Sequence, residues 1–390
     1  MRQVVIVSAC RTPIGSFLGT LSSLSAPQLG AIVISEAVKR ARISPDQVDE
    51  VFMGCVLSAG VGQAPARQAS IFAGLPNTVP CTTVNKVCGS GMKSVMLASL
   101  TIAAGEADII VAGGMESMSN SPYLIEKGRS GYRMGDGKIV DEMIKDGLWD
   151  VYNNYHMGNA AELCARECNI PRAAQDEFAV LSYKRAIEAT EKGYFKEEIV
   201  PVPVQSREGT IYITEDEEPK RVKFDKISHL KPAFDSSGTV TAANASKIND
   251  GAAALVLMSE EKAKELGLTP MAQIKAQASY AQAPEWFTTA PATVIQKLLQ
   301  KTGLTKEDID LFEINEAFSV VSLAVKQILD LDMSKVDVHG GAVALGHPIG
   351  ASGARILTTL LYAMKQRNSH RGIAAICIGG GEATGILVER

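Results

Sequence analysis

The sequence predicts a layered α/β fold built from two similar halves, with a segment of different character inserted between them. Three observations lead there. Short apolar strand-like runs alternate with amphipathic helical stretches before residue 119 and again from residue 249, the pattern of helices packed on a mainly parallel sheet. The second stretch also repeats the first. Ile43-Ser-Pro-Asp-Gln-Val-Asp-Glu-Val-Phe-Met-Gly54 resembles Leu304-Thr-Lys-Glu-Asp-Ile-Asp-Leu-Phe-Glu-Ile-Asn315, with Asp49 opposite Asp310 at an offset of 261. Between the copies, the chain is richer in Gly, Asn, Ser and charge. The expected organisation is an N-terminal half over 1–118, an inserted domain over 119–248, and a C-terminal half over 249–390.

Taken in order, Val4–Ser8 reads as a strand, Arg11-Thr-Pro-Ile-Gly15 as a turn, Ala26–Ala41 as an amphipathic helix and Glu50–Val56 as the next strand. Thr82–Val87 suits an extended segment. Met92–Ala104, rich in Ala, Leu and Met with few breakers, reads as a buried helix that runs into a strand at Asp108–Ala112. The insertion carries charged helices over 159–168 and 172–192. A polar stretch follows in which acidic Glu215–Glu218 precedes Lys220, Arg221 and Lys223, a solvated face or a place to meet a phosphate. In the second half, Gly353 opens a helix after His347 much as Gly91 opens one after Cys88. Both helices lead to strands ending in glycines, Gly113-Gly114 and Gly379-Gly380-Gly381. A pseudo-twofold arrangement would bring both helix N-termini to one cleft, so Cys88, His347, Cys377 and Asn315 are expected to converge.

Composition narrows the function. With 46% hydrophobic residues, 21% charged residues and a net charge of −4 over 390 residues, nothing points to nucleic acid. No apolar run of about 18 residues is free of charges and helix breakers, so no membrane span is expected. Seven scattered cysteines fit neither a disulfide framework nor a zinc site, and they suggest a reducing compartment. Cys164 and Cys168 share a helix face without a nearby histidine, so they are expected in the core and no metal is expected. The chain enters a strand almost at once, which predicts the cytoplasm, or the mitochondrial matrix if a presequence has been removed.

The stretch Asn85-Lys-Val-Cys-Gly-Ser-Gly-Met-Lys-Ser94 carries the candidate nucleophile, Cys88. It stands at a helix N-terminus, where unpaired N–H groups and the helix dipole favour a thiolate and can lower a cysteine pKa to roughly 3.5–7.5. Gly89 and Gly91 are expected to permit a tight turn and a close substrate approach. The same residues fit a structural cysteine beside a turn, and partners elsewhere must decide.

Those partners form a pattern. Val87-Cys88-Gly-Ser-Gly91, Asn315-Glu316-Ala317-Phe318, Gly346-His347-Pro348-Ile-Gly350 and Cys377-Ile-Gly379-Gly380-Gly381, with Gly340–Gly346 and Asn249–Ala254, resemble the thiolase family in order and separation over essentially the whole chain. The resemblance implies duplicated α/β halves in an α-β-α-β-α core, a loop domain over the site, and two-step acyl transfer between CoA thioesters. It casts Cys88 as nucleophile and His347 as its base. Cys377, which alone fits a buried strand cysteine, becomes the acid/base for an α-proton. One oxyanion hole would combine His347 with a water held by Asn315, and the other the N–H groups of Cys88 and Gly379. The pantetheine arm would run past Leu148, His156, Met157, Phe234, Ala242, Ser246 and Phe318, with Arg221 and Lys220 as candidates for a CoA phosphate.

The family needs no cofactor, since CoA is substrate and product, and no dinucleotide fingerprint is present. Tyr155-His-Met-Gly158 is similar to the short-chain branch, where a methionine narrows the acyl pocket and two acetyl-CoA condense to acetoacetyl-CoA and CoA, or the reverse. Asn85–Cys88, Gly113–Asn120 and Thr241–Ser246 are similar to the mitochondrial type. Phe287 also fits that type, some of whose members accept 2-methyl-branched substrates. Potassium activation there uses backbone groups like those of Ala242, Ala243, Ala245 and Val343 plus a tyrosine; Pro219 stands in the tyrosine's place, so potassium dependence is not expected. The alternatives are a broader-chain 3-ketoacyl-CoA thiolase and a non-catalytic CoA- or lipid-binding protein. The resemblance further implies small acyl-CoA partners and a homotetramer, a dimer of dimers.

Overall fold

Strands rich in Val, Ile and Ala build the main sheet of the computed structural model, which describes residues 2–390. They are β1 (Val4–Arg11), β2 (Glu50–Gly54), β3 (Cys81–Val84), β4 (Ile109–Ser117), β5 (Asn249–Ser259), β6 (Ala272–Ala281), β7 (Leu311–Ile314), β8 (Arg371–Ile378) and β9 (Glu382–Glu389). Their order is β7-β8-β9-β6-β1-β5-β4-β2-β3, and Gly15–Ser16 adds a short pairing beside β5. Read outward from the central β1–β6 pair, β5-β4-β2 on one side mirrors β9-β8-β7 on the other. The helices are α1 (Ala26–Arg40), α2 (Pro65–Phe72), α3 (Ser90–Ala104), α4 (Met157–Glu167), α5 (Arg172–Glu191), α6 (Glu260–Glu265), α7 (Ala290–Thr302), α8 (Ser319–Leu329), α9 (Ala342–Leu345) and α10 (Ile349–Arg367). Core clusters place α1 and α2 on an outer face of the first half, α7 on an outer face of the second, and α3 with α10 between them. This is the layered α/β core expected.

Two expectations need correction. The sheet is mixed: β2 is parallel to β3 and β4, and β7 to β8, but the other pairs are antiparallel. Strand–helix alternation detects only the crossover units, whereas β8 returns directly into β9 through Gly379-Gly380-Gly381, and such a tight turn can join only antiparallel neighbours. The boundary at 249 also moves. β5 begins there, yet it lies between β1 and β4, so chain that follows the insertion completes the first half's sheet.

The duplication persists at atomic detail. Asp49 Oδ2 accepts from the N–H groups of Asp108 and Ile109 at 2.8 and 2.9 Å, and Asp310 Oδ2 from those of His370 and Arg371 at 2.7 and 2.9 Å. The central helices cross at the two matched glycines. A Cβ on Gly91 would lie 2.9 Å from the Ala354 nitrogen, and one on Gly353 2.4 Å from the Met92 nitrogen. Only glycine at both positions allows so close a crossing, and it sets both helix N-termini side by side. Val87–Ala104 is long and apolar enough to cross a membrane, with a mean hydropathy of 1.4, but 56% of it is buried and it serves as a core helix.

The insertion is anchored rather than merely appended. Arg11 of β1 is fully buried and pairs with Glu198 at 2.6 Å and, through two nitrogens, with Asp216 at 2.7 and 2.9 Å. A buried guanidinium demands such partners. The acidic run is therefore not simply a solvated face: Asp216 is buried and also accepts from Ile14 N–H. Cys164 lies in the core of α4, as expected.

Candidate active site

Cys88 sits on the turn from β3 into α3. The backbone just before it is strained, because Val87, a β-branched residue, has φ of +46°. Neighbouring side chains hold it there. Asn85 Oδ1 accepts from Val87 N–H at 3.0 Å, while Ser90 Oγ accepts from Lys86 N–H at 2.8 Å and donates to the Val87 carbonyl at 2.6 Å. Neither Gly89 nor Gly91 takes up a positive φ. Their role is close packing; a Cβ on Gly89 would fall 2.3 Å from Ile378 Cδ1.

The expected acidic thiol is not found. The N–H groups of Gly379 and of Cys88 itself favour the thiolate, but burial outweighs them and pushes the thiol up to about 11. The proton therefore rests on sulfur, and a base must remove it during attack.

His347 is placed to do so. It follows α9 through Gly346, whose φ of +112° only glycine adopts readily, and its N–H donates to Asn249 Oδ1 at 2.9 Å. Its Nδ1 lies 2.6 Å from Ser352 Oγ, and that hydroxyl gives its single proton to the Pro348 carbonyl at 2.9 Å. Nδ1 must then carry the hydrogen, leaving Nε2 as a bare acceptor. Among the described residues, the buried Nε2 has no hydrogen-bond partner. Burial, helped by the Arg355 charge, lowers the imidazole pKa to about 3, so it stays neutral until the thiol yields its proton. A Cβ at Gly346 would come within 2.4 Å of the Asn249 amide. Gly346→Ala is expected to lower stability by about 1–3 kcal/mol in a urea titration.

These groups open onto one cavity of about 230 Å³. Cys88, His347, Cys377 and Gly379 form its reactive end, and Leu148, His156, Met157, Phe234, Ser246, Phe287 and Phe318 line the rest. His156 stacks on Phe234 with centroids 4.6 Å apart, and Phe234 and Phe287 each meet Phe318 edge-on at 6.2 Å. Burial lowers the His156 pKa, and its Nδ1 accepts from Gly158 N–H at 3.0 Å. Burial and neighbouring Cys88 push the Cys377 thiol well above its usual range. Gly379 keeps ordinary room for a Cβ, 3.6 Å from the nearest Met157 atoms, whereas Gly380 and Gly381 carry the positive φ of the turn.

Four expected residues lie off this cavity's wall, among them Lys220, which pairs with Glu215 at 2.5 Å. Asn315 is fully buried, and among the described residues neither of its side-chain amide atoms has a hydrogen-bond partner. Ala242 and Arg221 line an outer groove that shares Phe234, Ala245, Ser246, Lys247 and Ile248 with the cavity. Arg221 lies 3.6 Å from Glu217 and is largely exposed. Met118, Gly147, Ala245, Lys247, Ile248, Ala317 and Ile349 also line the cavity and were not expected. Lys247 directly follows the Thr241–Ser246 motif, which was the available signal.

Known proteins resemble the chain over its whole length. Residues 4–261 match the family model for the thiolase N-terminal domain and residues 268–390 that for the thiolase C-terminal domain. The chain is 55% identical to an acetyl-CoA acetyltransferase of Cupriavidus necator, with 100% of each covered. It is 53% identical to an acetyl-CoA acetyltransferase of Schizosaccharomyces pombe, over 100% of this chain and 99% of that one. A thiolase from Ascaris suum, solved in complex with coenzyme A, superposes with a TM-score of 0.95 at 47% identity, with 100% of both chains covered.

Proposed function

The chain belongs to the thiolase family, and from that premise we propose that it is an acetyl-CoA C-acetyltransferase, condensing two acetyl-CoA to acetoacetyl-CoA and CoA, and reversibly thiolysing acetoacetyl-CoA, through an acyl-Cys88 intermediate. The observation that carries this reading is the convergence of Cys88, the bare Nε2 of His347 and Cys377 on one small apolar cavity.

The protons balance. As the Cys88 sulfur attacks an acetyl-CoA carbonyl, its proton passes to His347 Nε2. Cys377 gives its proton to the departing CoA sulfur and becomes a thiolate. That thiolate then removes an α-proton from the second acetyl-CoA, and the resulting carbanion attacks the acetyl-Cys88 carbonyl. When the adduct collapses, His347 returns its proton to the Cys88 sulfur and the enzyme is restored. Negative charge on the acyl oxygen would meet the N–H groups of Cys88 and Gly379. Charge on the enolate oxygen would meet protonated Nε2, assisted by a water on the unpartnered Asn315 amide. The high Cys377 pKa suits its task, since a weakly acidic thiol makes a strongly basic thiolate.

Cys377→Ala tests this division of labour. Acetylation of Cys88, followed by intact mass, should slow but still reach completion, because a CoA thiolate can leave without the Cys377 proton, while condensation, which needs the Cys377 base, falls by about 10²–10⁴-fold. Equal loss of both would reject it.

Chain length follows from Met157, which is buried at the reactive end beside Gly379. Spectrophotometric thiolysis should favour acetoacetyl-CoA over a long-chain 3-ketoacyl-CoA, and Met157→Ala should narrow that preference by about tenfold. Preference of the wild type for the long chain would replace this reading with the broader-chain one. The homotetramer and the cytoplasmic location belong to the same proposal.

A further inference from the structure

Resting on that reading, we propose that the Lys247 ammonium is a built-in cation that holds the CoA-facing loop to the segment carrying His347, making Lys247 a positioning residue. Its Nζ donates to the Ala245 carbonyl at 2.8 Å and to the Val343 carbonyl at 3.3 Å, and it lies 5.5 Å from the centroid of the Tyr183 ring. Those partners belong to three separate elements. Ala245 is in the loop of residues 241–248, whose last four residues line the cavity, Val343 is in α9, three residues short of Gly346-His347, and Tyr183 is in α5 of the insertion. Two carbonyl dipoles and an aromatic face together form a cradle for one positive charge.

The surroundings support this. The hydrogen bonds of Nζ go to carbonyls, not to a carboxylate, so the charge is not spent in an ion pair. Glu218 and Glu316 act on it at longer range and favour the ammonium. Glu316 Oε2 accepts from Val343 N–H at 3.1 Å and from Ser182 Oγ at 2.7 Å, so the same peptide-bearing residue is gripped from its other side. Burial brings the Lys247 pKa down to about 8, which leaves it mostly charged at neutral pH. The two residues that follow Val343 and Ala245 most closely toward the chemistry are His347 and Ser246, and both line the cavity. Loosening this tie would displace the base and the thioester wall together.

The test compares Lys247→Met, which keeps length but loses charge, with Lys247→Ala, which leaves the cradle open. Hydrogen–deuterium exchange on the free proteins needs no turnover, so it stands apart from the functional reading. Peptides covering 241–248 and 339–347 should exchange faster in both variants. In thiolysis, kcat/KM should fall about 10–100-fold, with KM for the CoA thioester rising and kcat falling. Ammonium chloride, against sodium chloride at equal ionic strength, should restore activity and protection in Lys247→Ala but not in Lys247→Met, whose side chain fills the cradle. Wild-type exchange and kinetics in Lys247→Met would overturn the proposal, as would a Lys247→Ala defect indifferent to ammonium. An inactive wild type whose loops still loosen in the variants would reject the acyl-transfer reading while leaving the tie standing.

Discussion

Cys88→Ala is expected to lower thiolysis of acetoacetyl-CoA by about 10⁴–10⁶-fold and to abolish the gain of one acetyl group seen when the wild type meets acetyl-CoA. The variant should fold, because Cys88 is half-buried at the cavity and the turn is held by Asn85 and Ser90 rather than by the sulfur. The free enzyme also has a distinctive pH signature. With the thiol pushed up to about 11, trapping of Cys88 by iodoacetamide should rise about tenfold per pH unit between 7 and 9, without levelling near neutrality. A plateau below pH 8 would mean a preformed thiolate and would remove the need for proton transfer during attack. Retained acetylation in the alanine variant would place the nucleophile elsewhere.

His347→Asn is expected to cost about 10³-fold or more in kcat, because one group both accepts the Cys88 proton and, once charged, faces the enolate oxygen. The neutral state is the working one. The imidazole pKa is lowered to about 3, so the base form is fully present above that value and is lost only as pH falls through it. Activity should therefore show no acidic limb attributable to His347 between pH 5 and 8. Ser352→Ala gives the matching control. It removes the acceptor that keeps hydrogen on Nδ1, so its kcat should fall less than that of His347→Asn. Pre-steady-state acetylation separates the two roles: loss confined to condensation would assign His347 to the second step alone.

Much of this was legible in one dimension. Two α/β halves, the helices of both, and the repeated Asp49 and Asp310 follow from hydrophobic period and internal similarity, because each reflects local backbone needs. Cys88 and His347 could be singled out because each stands in a glycine-framed turn, and such turns leave a strong compositional trace, whereas Cys377, inside β8, and Gly379 after it gained their roles only through the resemblance to the family. The mixed sheet could not be read this way. Strand direction depends on which edge a returning strand joins, and β5 reaches its place between β1 and β4 only after the whole insertion has intervened.

Charge was the other quantity that only the fold could set. A helix N-terminus alone argues for an acidic Cys88 thiol, yet burial in the folded protein outweighs it, and burial likewise keeps His347 neutral. Asp216 reads as one member of a soluble acidic run, but becomes a buried partner because Arg11 must be neutralised inside the protein. Lys247 reads as an ordinary lysine after a motif, and its position among carbonyls exists only once three distant segments meet. The sequence by itself determined which residues could do the chemistry, since side-chain identity and local backbone conformation are encoded locally. Their protonation states and partners were decided by tertiary structure, because dielectric and proximity are properties of what surrounds a group in space.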